Sequence, residues 1–365
     1  MKAAIYRKFD GPIRVETVPI PNASEDGVVV QVMATGVCRS DWHGWKGHDS
    51  DVIDHGLPFC PGHELSGIVV QVGSRVGSFK KGDRVAVPFI LSCGSCHYCC
   101  QEKRPTICTQ QQQPGFTQWG SFAEYVALPR ADRNLRHLPK AVSFVQAAAL
   151  GCRFTTAYRA VLQQGRLKNL SNASVAVFGA GGLGLSCIML AKTTGTARMI
   201  VAIDISRQAL NKALQLGATH TIQATTGEES NTMVRQQVLD LTKGHGVDLS
   251  IDAAGFRSTC ENAVHCCKRG GRMIQVGLPI GHAPPVIPMG LVAGRELELV
   301  GSHGFAADDL PALLEMVATG ALDPSLLVEK EVTLQEGAQA IQDMDHGSPL
   351  GITVVTQFQH QESRL

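Results

Sequence analysis

The sequence predicts an α/β protein in two parts, a β-rich domain and a doubly wound parallel sheet. Three observations carry this. From about residue 172, strand-like and helix-like segments alternate, the pattern of a parallel sheet built from βαβ units. The run Gly179-Ala-Gly181-Gly182-Leu183-Gly184 falls where the first of those strands gives way to a helix. Before about residue 150 the chain is instead a series of short β-rich runs broken by Gly and Pro, with a dense cysteine cluster among them.

The β-rich part opens on the alternating Met1-Lys-Ala-Ala-Ile-Tyr-Arg7 and continues through strand candidates at 28–33, 65–72, 84–87 and 122–128. The alternating part places strands at 175–178, 199–203, 220–223, 249–251 and 272–276. Helices are expected at about 183–194, 206–216, 232–242 and 257–267. After about 300 come a helix at 310–319, a further helix and a closing strand at 352–357, too little for a third domain. The tail is therefore expected to fold back onto the first part, giving domains 1–153 with 300–365, and 154–299.

Composition excludes several function classes. The 365 residues are 44% hydrophobic and 18% charged, which suits a globular protein with sizeable cores. Lys+Arg number 33 and Asp+Glu 32, interspersed, so no net field draws the chain to nucleic acid or an anionic membrane. No run approaches the roughly 18 apolar residues of a membrane span. The first residues lack the apolar core of a secretion signal, so a cytoplasmic setting is expected. In such a setting the 12 cysteines point to metal ligands or buried thiols, not disulfides.

The glycine run has a mechanical reading. Gly179 makes the tight turn, Gly181 lets backbone approach a pyrophosphate, and Gly184 lets helix and strand pack closely. The N–H groups of Gly182 and Leu183, at the helix N-terminus, suit the phosphates. Asp204 ends the second strand 20 residues after Gly184, where a carboxylate binds ribose hydroxyls and repels a 2′-phosphate. NAD is therefore expected over NADP, with the nearby Arg207 weakening the preference.

Five cysteines lie between positions 93 and 108. Cys93, Cys96 and Cys99 recur at two-residue gaps, with Cys108 beyond, and four thiolates from one loop close tetrahedrally on Zn²⁺. A closed four-sulfur site is structural. Cys100, adjacent to Cys99, is an alternative third ligand.

Three separated segments add chemistry-capable residues: Gly36-Val-Cys38-Arg39-Ser40-Asp41-Trp42-His43, Pro61-Gly-His63-Glu64, and Leu150-Gly-Cys152. With the cysteine cluster and the glycine run, in this order along the chain, they resemble the medium-chain dehydrogenase/reductase superfamily, and within it the zinc-dependent alcohol dehydrogenases. The resemblance implies a GroES-like catalytic domain, a Rossmann NAD domain, an active site in the cleft between them, and two zinc ions per chain. It makes Cys38, His63 and Cys152 the catalytic zinc ligands, with Glu64 a transient ligand or a residue just behind them, and Asp41 the partner that sets the ligand histidine's tautomer. Zinc lowers the pKa of bound water from about 15.7 toward about 7, and a coordinated alcohol is expected to respond similarly, forming an alkoxide that expels hydride to NAD. Ser40 and His43 match the family's proton relay, and Arg39 its pyrophosphate contact. Val276 and Leu278 match the segment beside the nicotinamide, and Phe89 and Trp45 occupy positions the family uses for the substrate pocket. Trp42, Phe116 and Trp119 are further aromatic candidates for that wall.

The chain departs from the family in places. The gap from Cys99 to Cys108 is one residue longer than usual, while that from Cys100 has the usual length; the matching first gaps favour Cys99. A C-terminal arginine found in some relatives is replaced by about Ile352. Cys152 fits the alcohol branch, since polyol branches commonly present Glu there. Cys60, Cys187, Cys260, Cys266 and Cys267 read as apolar fillers. The substrate expected is a small alcohol or aldehyde, and the assembly a dimer or tetramer. The competing readings are a zinc dehydrogenase of polyols or thiol adducts, and a non-catalytic NAD-binding redox sensor, for which an open metal position has no use.

Overall fold

The computed structural model describes residues 1–279, 283–347 and 349–358. Contacts divide it into two units, Met1–Thr155 together with the chain from Gly304 onward, and Thr156–His303. In chain order the strands are β1 Lys2–Ile5, β2 Arg14–Thr17, β3 Val28–Gly36, β4 Glu64–Val72, β5 Arg84–Val87, β6 Tyr125–Leu128 and β7 Arg136–His137, all in the first unit. The second unit holds β8 Ala173–Phe178, β9 Ala197–Asp204, β10 His220–Gln223, β11 Val247–Asp252, β12 Cys267–Gln275 and β13 Glu298–Gly301. β14 Val328–Thr333 and β15 Ile352–Gln357 belong again to the first unit.

In the first unit the main sheet runs β14-β15-β3-β4-β5-β7, with β6 also on β3. β3 is the hub. Its Val28-Val-Val-Gln-Val run pairs antiparallel with β4 and β6, its far end at Thr35 and Gly36 pairs antiparallel with β15, and its valines are buried. β-Branched side chains suit such a pleated, covered strand. Val28, Val30, Val32, Leu65, Val69, Val85 and Leu128 form one core cluster. A second gathers Ala3, Tyr6, Trp45, Phe59, Phe116 and Phe122 with Leu334, Ala338 and Ile341 of the helix Leu334–Asp343. The chain's return thus completes the first unit's core. The ends of β3 and β4 meet at the register pair Gly36↔Glu64, which brings the chain around Cys38 beside that around His63.

The second unit is a six-stranded sheet, β10-β9-β8-β11-β12-β13, parallel at every pairing. Counting from β8, this is the order 3-2-1-4-5-6 of a doubly wound dinucleotide fold. Strand order reverses between β8 and β11, and there the Ala253 N–H donates to the Phe178 carbonyl at 2.9 Å. The helix Gly182–Thr193 follows β8, with Gly184 through Ala191 all buried.

Several expectations shift at element ends. The expected strand at 122–128 is regular only over Tyr125–Leu128; Phe122 instead accepts from the Ala4 N–H at 2.8 Å. The expected helix at 257–267 stops at His265, because Cys267 already pairs with Val247 as the start of β12. β13 and the helix Met289–Arg295 were not anticipated; the short, exposed edge strand and the helix without buried residues leave no strong periodic signal. Among the described residues no helix is long and apolar enough to cross a membrane.

Candidate active site

The helix Arg39–Trp45 begins at Cys38, whose extended backbone puts it at the N-cap. Asp41, in the first turn, is 1% exposed and organises the region. Its Oδ2 accepts from the Cys38 N–H at 2.9 Å, and its Oδ1 from the Gly62 N–H at 3.0 Å. His63 Nδ1 lies 2.9 Å from the same Oδ1, so Nδ1–H donates to the carboxylate, the tautomer that turns the Nε2 lone pair toward the cluster. That Nε2 is buried and has no hydrogen-bond partner. A buried orphan nitrogen costs free energy unless something binds it. Beside it, the ligand atoms of Cys38, His63, Glu64 and Cys152 all lie within 4.8 Å of one another. Two sulfurs and an imidazole nitrogen are a donor set that zinc accepts. The residues fit the metal.

The electrostatics suit a cation. The neighbouring Cys152 thiol holds Cys38 well below the ordinary thiol range despite burial, and Cys38 in turn, with burial, raises Cys152. Burial works against a charged His63, yet Asp41 and then Cys38 together outweigh it and raise the imidazole, a pull for positive charge at Nε2 that a metal ion would satisfy in place of a proton. Glu64 is fully buried, and desolvation pushes it up to about 7 against the pull of Arg153. It faces the cluster but is engaged elsewhere: Oε1 accepts from the Cys152 N–H at 3.1 Å, and Oε2 from Arg153 Nη1 at 2.8 Å.

Around this cluster, Phe116 lies 4.9 Å from the His63 ring and Phe89 6.0 Å, centroid to centroid. Trp45, expected in the same wall, is instead a core residue. It is 4% exposed among Ala3, Tyr6 and Phe59, and its indole donates to the Gly11 carbonyl at 2.6 Å. Trp42 donates to Asp345 and Trp119 to the Pro58 carbonyl. Ser40 Oγ is 3.8 Å from Cys38 Sγ. His43 Nδ1 is 3.2 Å from His48 Nδ1, a partner that sequence reading missed although both rings pack against Trp42. Burial first, then the charges of Arg39 and His48, bring His43 down to about 4. Arg39 stacks on the Trp42 ring at 3.5 Å and donates to the Met344 carbonyl at 2.7 Å. Ile352 is fully buried in β15.

In the cysteine loop, Cys93, Cys96, Cys99 and Cys108 bring their sulfurs within 4.8 Å of one another. Cys100 is exposed and turned away, its thiol donating to the Gly94 carbonyl at 3.0 Å. Backbone N–H groups of Ser95 and Cys96 point at Cys93 Sγ, and those of Cys93 and Gln110 at Cys108 Sγ. Against desolvation, the Ser95 and Cys96 donors hold Cys93 at about 5, so this sulfur is primed as a thiolate.

On the parallel sheet, Gly179 has φ +92°, and a Cβ there would come 2.8 Å from the Ala254 Cβ. A Cβ on Gly184 would overlap the Gly179 carbonyl, whereas Gly181 faces open space at the N-cap of its helix. Gly182 and Leu183 open that helix. The cradle fits a dinucleotide pyrophosphate. Asp204 supports the turn, accepting from the Ala180 N–H at 2.6 Å and the Ser206 N–H at 2.8 Å, with Arg207 exposed nearby. Val276 is mostly buried and Leu278 65% exposed. Asp252 was not anticipated. It is buried at the end of β11, where it accepts from the Ala254 and Gly255 N–H groups and from Gln275 Nε2 at 2.8 Å, shaping the loop beside Gly179. Its signal was an Asp at a strand end followed by Ala-Ala-Gly255.

An orphan imidazole facing two sulfurs, in a chain that also carries this doubly wound sheet, defines a zinc-binding, nucleotide-dependent dehydrogenase. Comparison with known proteins agrees. Residues 24–140 match the family model of the alcohol dehydrogenase GroES-like domain, and residues 182–319 that of the zinc-binding dehydrogenase domain. An alcohol dehydrogenase of Geobacillus stearothermophilus is 32% identical over 88% of this chain and 90% of its own length. A sorbitol dehydrogenase of Bacillus subtilis (strain 168) is 31% identical over 94% and 93%. The crystal structure of an NAD-dependent alcohol dehydrogenase superposes with a TM-score of 0.85 at 29% identity, covering 98% of this chain and 100% of the other. The chain belongs to the zinc-dependent alcohol dehydrogenase family of the medium-chain dehydrogenase/reductase superfamily. It is an oxidoreductase of a family whose members bind zinc and use NAD(H).

Proposed function

We propose that the protein reversibly oxidises primary or secondary alcohols to aldehydes or ketones with NAD. The observation that carries the reading is His63: Nδ1 fixed by Asp41, Nε2 buried and unpaired beside two sulfurs. Cys38, His63 and Cys152 would hold a zinc ion, and three protein ligands leave a position for substrate. When bound, the zinc makes a hydroxyl it holds more acidic and a carbonyl more electrophilic. Asp41 keeps the imidazole in the tautomer that presents Nε2. Phe89 and Phe116 exclude water beside it. The hydroxyl proton leaves through Ser40 and His43; His43, held at about 4, stays neutral at neutral pH and passes the proton on to solvent instead of retaining it. Gly179, Gly181, Gly182, Leu183 and Gly184, with Asp204, Arg207, Val276 and Leu278, would hold NAD, which when bound would supply the hydride acceptor for the carbinol hydrogen. Cys93, Cys96, Cys99 and Cys108 would hold a second, structural zinc.

Polyol oxidation is a second reading, favoured by the similarity to a sorbitol dehydrogenase. A panel of short, long, branched and aromatic alcohols beside sorbitol and xylitol, followed by NADH absorbance, separates the two. The expected result is turnover of simple alcohols, about two zinc ions per chain, and loss of both turnover and one zinc in Cys38→Ser. Turnover of polyols alone transfers the enzyme to that class. We also read it as a cytoplasmic dimer or tetramer. Its cysteines are all free, and Val286, Met289 and Leu299 expose apolar surface at and near the edge strand β13. Light scattering tests the assembly.

A further inference from the structure

Arg153 follows Cys152 in the chain and is buried, 7% exposed. Its guanidinium reaches in two directions. Nη1 donates to Glu64 Oε2 at 2.8 Å, and Nη2 donates to the Val37 carbonyl. Val37 precedes Cys38, Glu64 follows His63, and Arg153 itself follows Cys152. One side chain therefore bridges the chain neighbours of all three residues assigned above to the metal. Glu64 completes the tie by accepting the Cys152 N–H at 3.1 Å. The room around Glu64 is fixed by two glycines: a Cβ on Gly36 would overlap its Oε2, and one on Gly151 its Cβ. A planar guanidinium can serve two acceptors in fixed directions, which a lysine ammonium, a point charge on a flexible stem, cannot.

We propose that Arg153 is a positioning residue that sets the separation of Cys38, His63 and Cys152 by bridging Val37 and Glu64. The inference rests on the zinc assignment made above. Its test is Arg153→Lys in the zinc-loaded enzyme, which keeps the charge and removes the two-way bridge. Metal release to a colorimetric chelator would be followed beside wild type and Cys38→Ser, the latter marking which release phase belongs to the cysteine loop. Arg153→Lys is expected to hold the Cys38/His63/Cys152 metal about 10–100-fold more weakly, with the loop metal released at the wild-type rate. In the cobalt-substituted protein the thiolate-to-cobalt band should shift or broaden. Glu64→Gln, which keeps the arginine and weakens the same bridge, should accelerate release in the same direction by less.

Wild-type release rates and an unchanged cobalt band in Arg153→Lys would overturn the inference. So would parallel loss of both metals, which signals general unfolding, if Glu64→Gln then behaved as wild type. The zinc assignment fails separately, if wild type holds no metal that Cys38→Ser removes.

Discussion

The two cysteine clusters of the first unit are built in opposite ways. Cys93, Cys96, Cys99 and Cys108 come from one stretch of chain, and their sulfurs are met by N–H groups of the same loop. Cys38, His63 and Cys152 come from three distant segments, and what holds them is side-chain chemistry: Asp41 on His63, Arg153 on Glu64 and Val37. The loop cluster is partly exposed at Cys93 and Cys96, while Cys38 and His63 are buried. A contiguous loop can close on a metal with four donors and so contributes stability. Three donors from three segments would leave a coordination position open on a metal, at the cost of depending on residues outside the ligand set.

The contrast is sharpest in stability. Cys99→Ser should cost at least about 3 kcal/mol and one zinc, since structural zinc binding contributes on the order of 10 kcal/mol in small metal domains; urea unfolding with metal analysis measures both. A stable Cys99→Ser protein retaining two zincs would break the comparison. Next in size, Asp41→Asn should weaken metal retention at the buried cluster by about 10–100-fold and leave the loop metal in place, read by chelator competition.

A smaller effect concerns acid. Folding holds His43 at about 4, below the ordinary 6.5, through burial and the charges of Arg39 and His48. The unfolded chain therefore binds this proton first. Stability falls as pH drops from about 6.5 to about 4, and the loss levels off once the folded form also protonates. His43→Asn should lose less stability than wild type between pH 7 and pH 5, by urea unfolding. Smallest of all, Cys100→Ser should change stability by no more than about 0.5 kcal/mol and keep both zincs, because its thiol faces Gly94 and not the cluster.

The split between what was legible and what was not follows the same line. The parallel sheet could be read because each strand and helix carries its own periodicity, and His220–Gln223 and Ile352–Gln357 fall where their patterns place them. The glycine turn was legible because its requirements are local: Gly184 can have no Cβ against the Gly179 carbonyl, and Gly179 needs a positive φ. Trp45 was misplaced because helical spacing does not say which face meets a pocket and which the Tyr6–Phe59 core. The helix ending at His265 was overextended because the β12 pairing of Cys267 with Val247 is a contact across the sheet.

The sequence by itself therefore determined the doubly wound sheet, the glycine turn and the candidate sulfurs, since spacing along the chain constrains them. Tertiary structure decided between Cys99 and Cys100: on the short helix His97–Cys100, neighbouring side chains diverge by about 100°, so one faces the other sulfurs and the next faces away. It also brought Arg153 to Val37 and Glu64, placed His48 against His43, and set Asp252 under the loop beside Gly179. These are pairings between elements far apart in the chain or packed by the fold, fixed by burial and hydrogen-bond satisfaction after the elements assemble, and no local pattern records them.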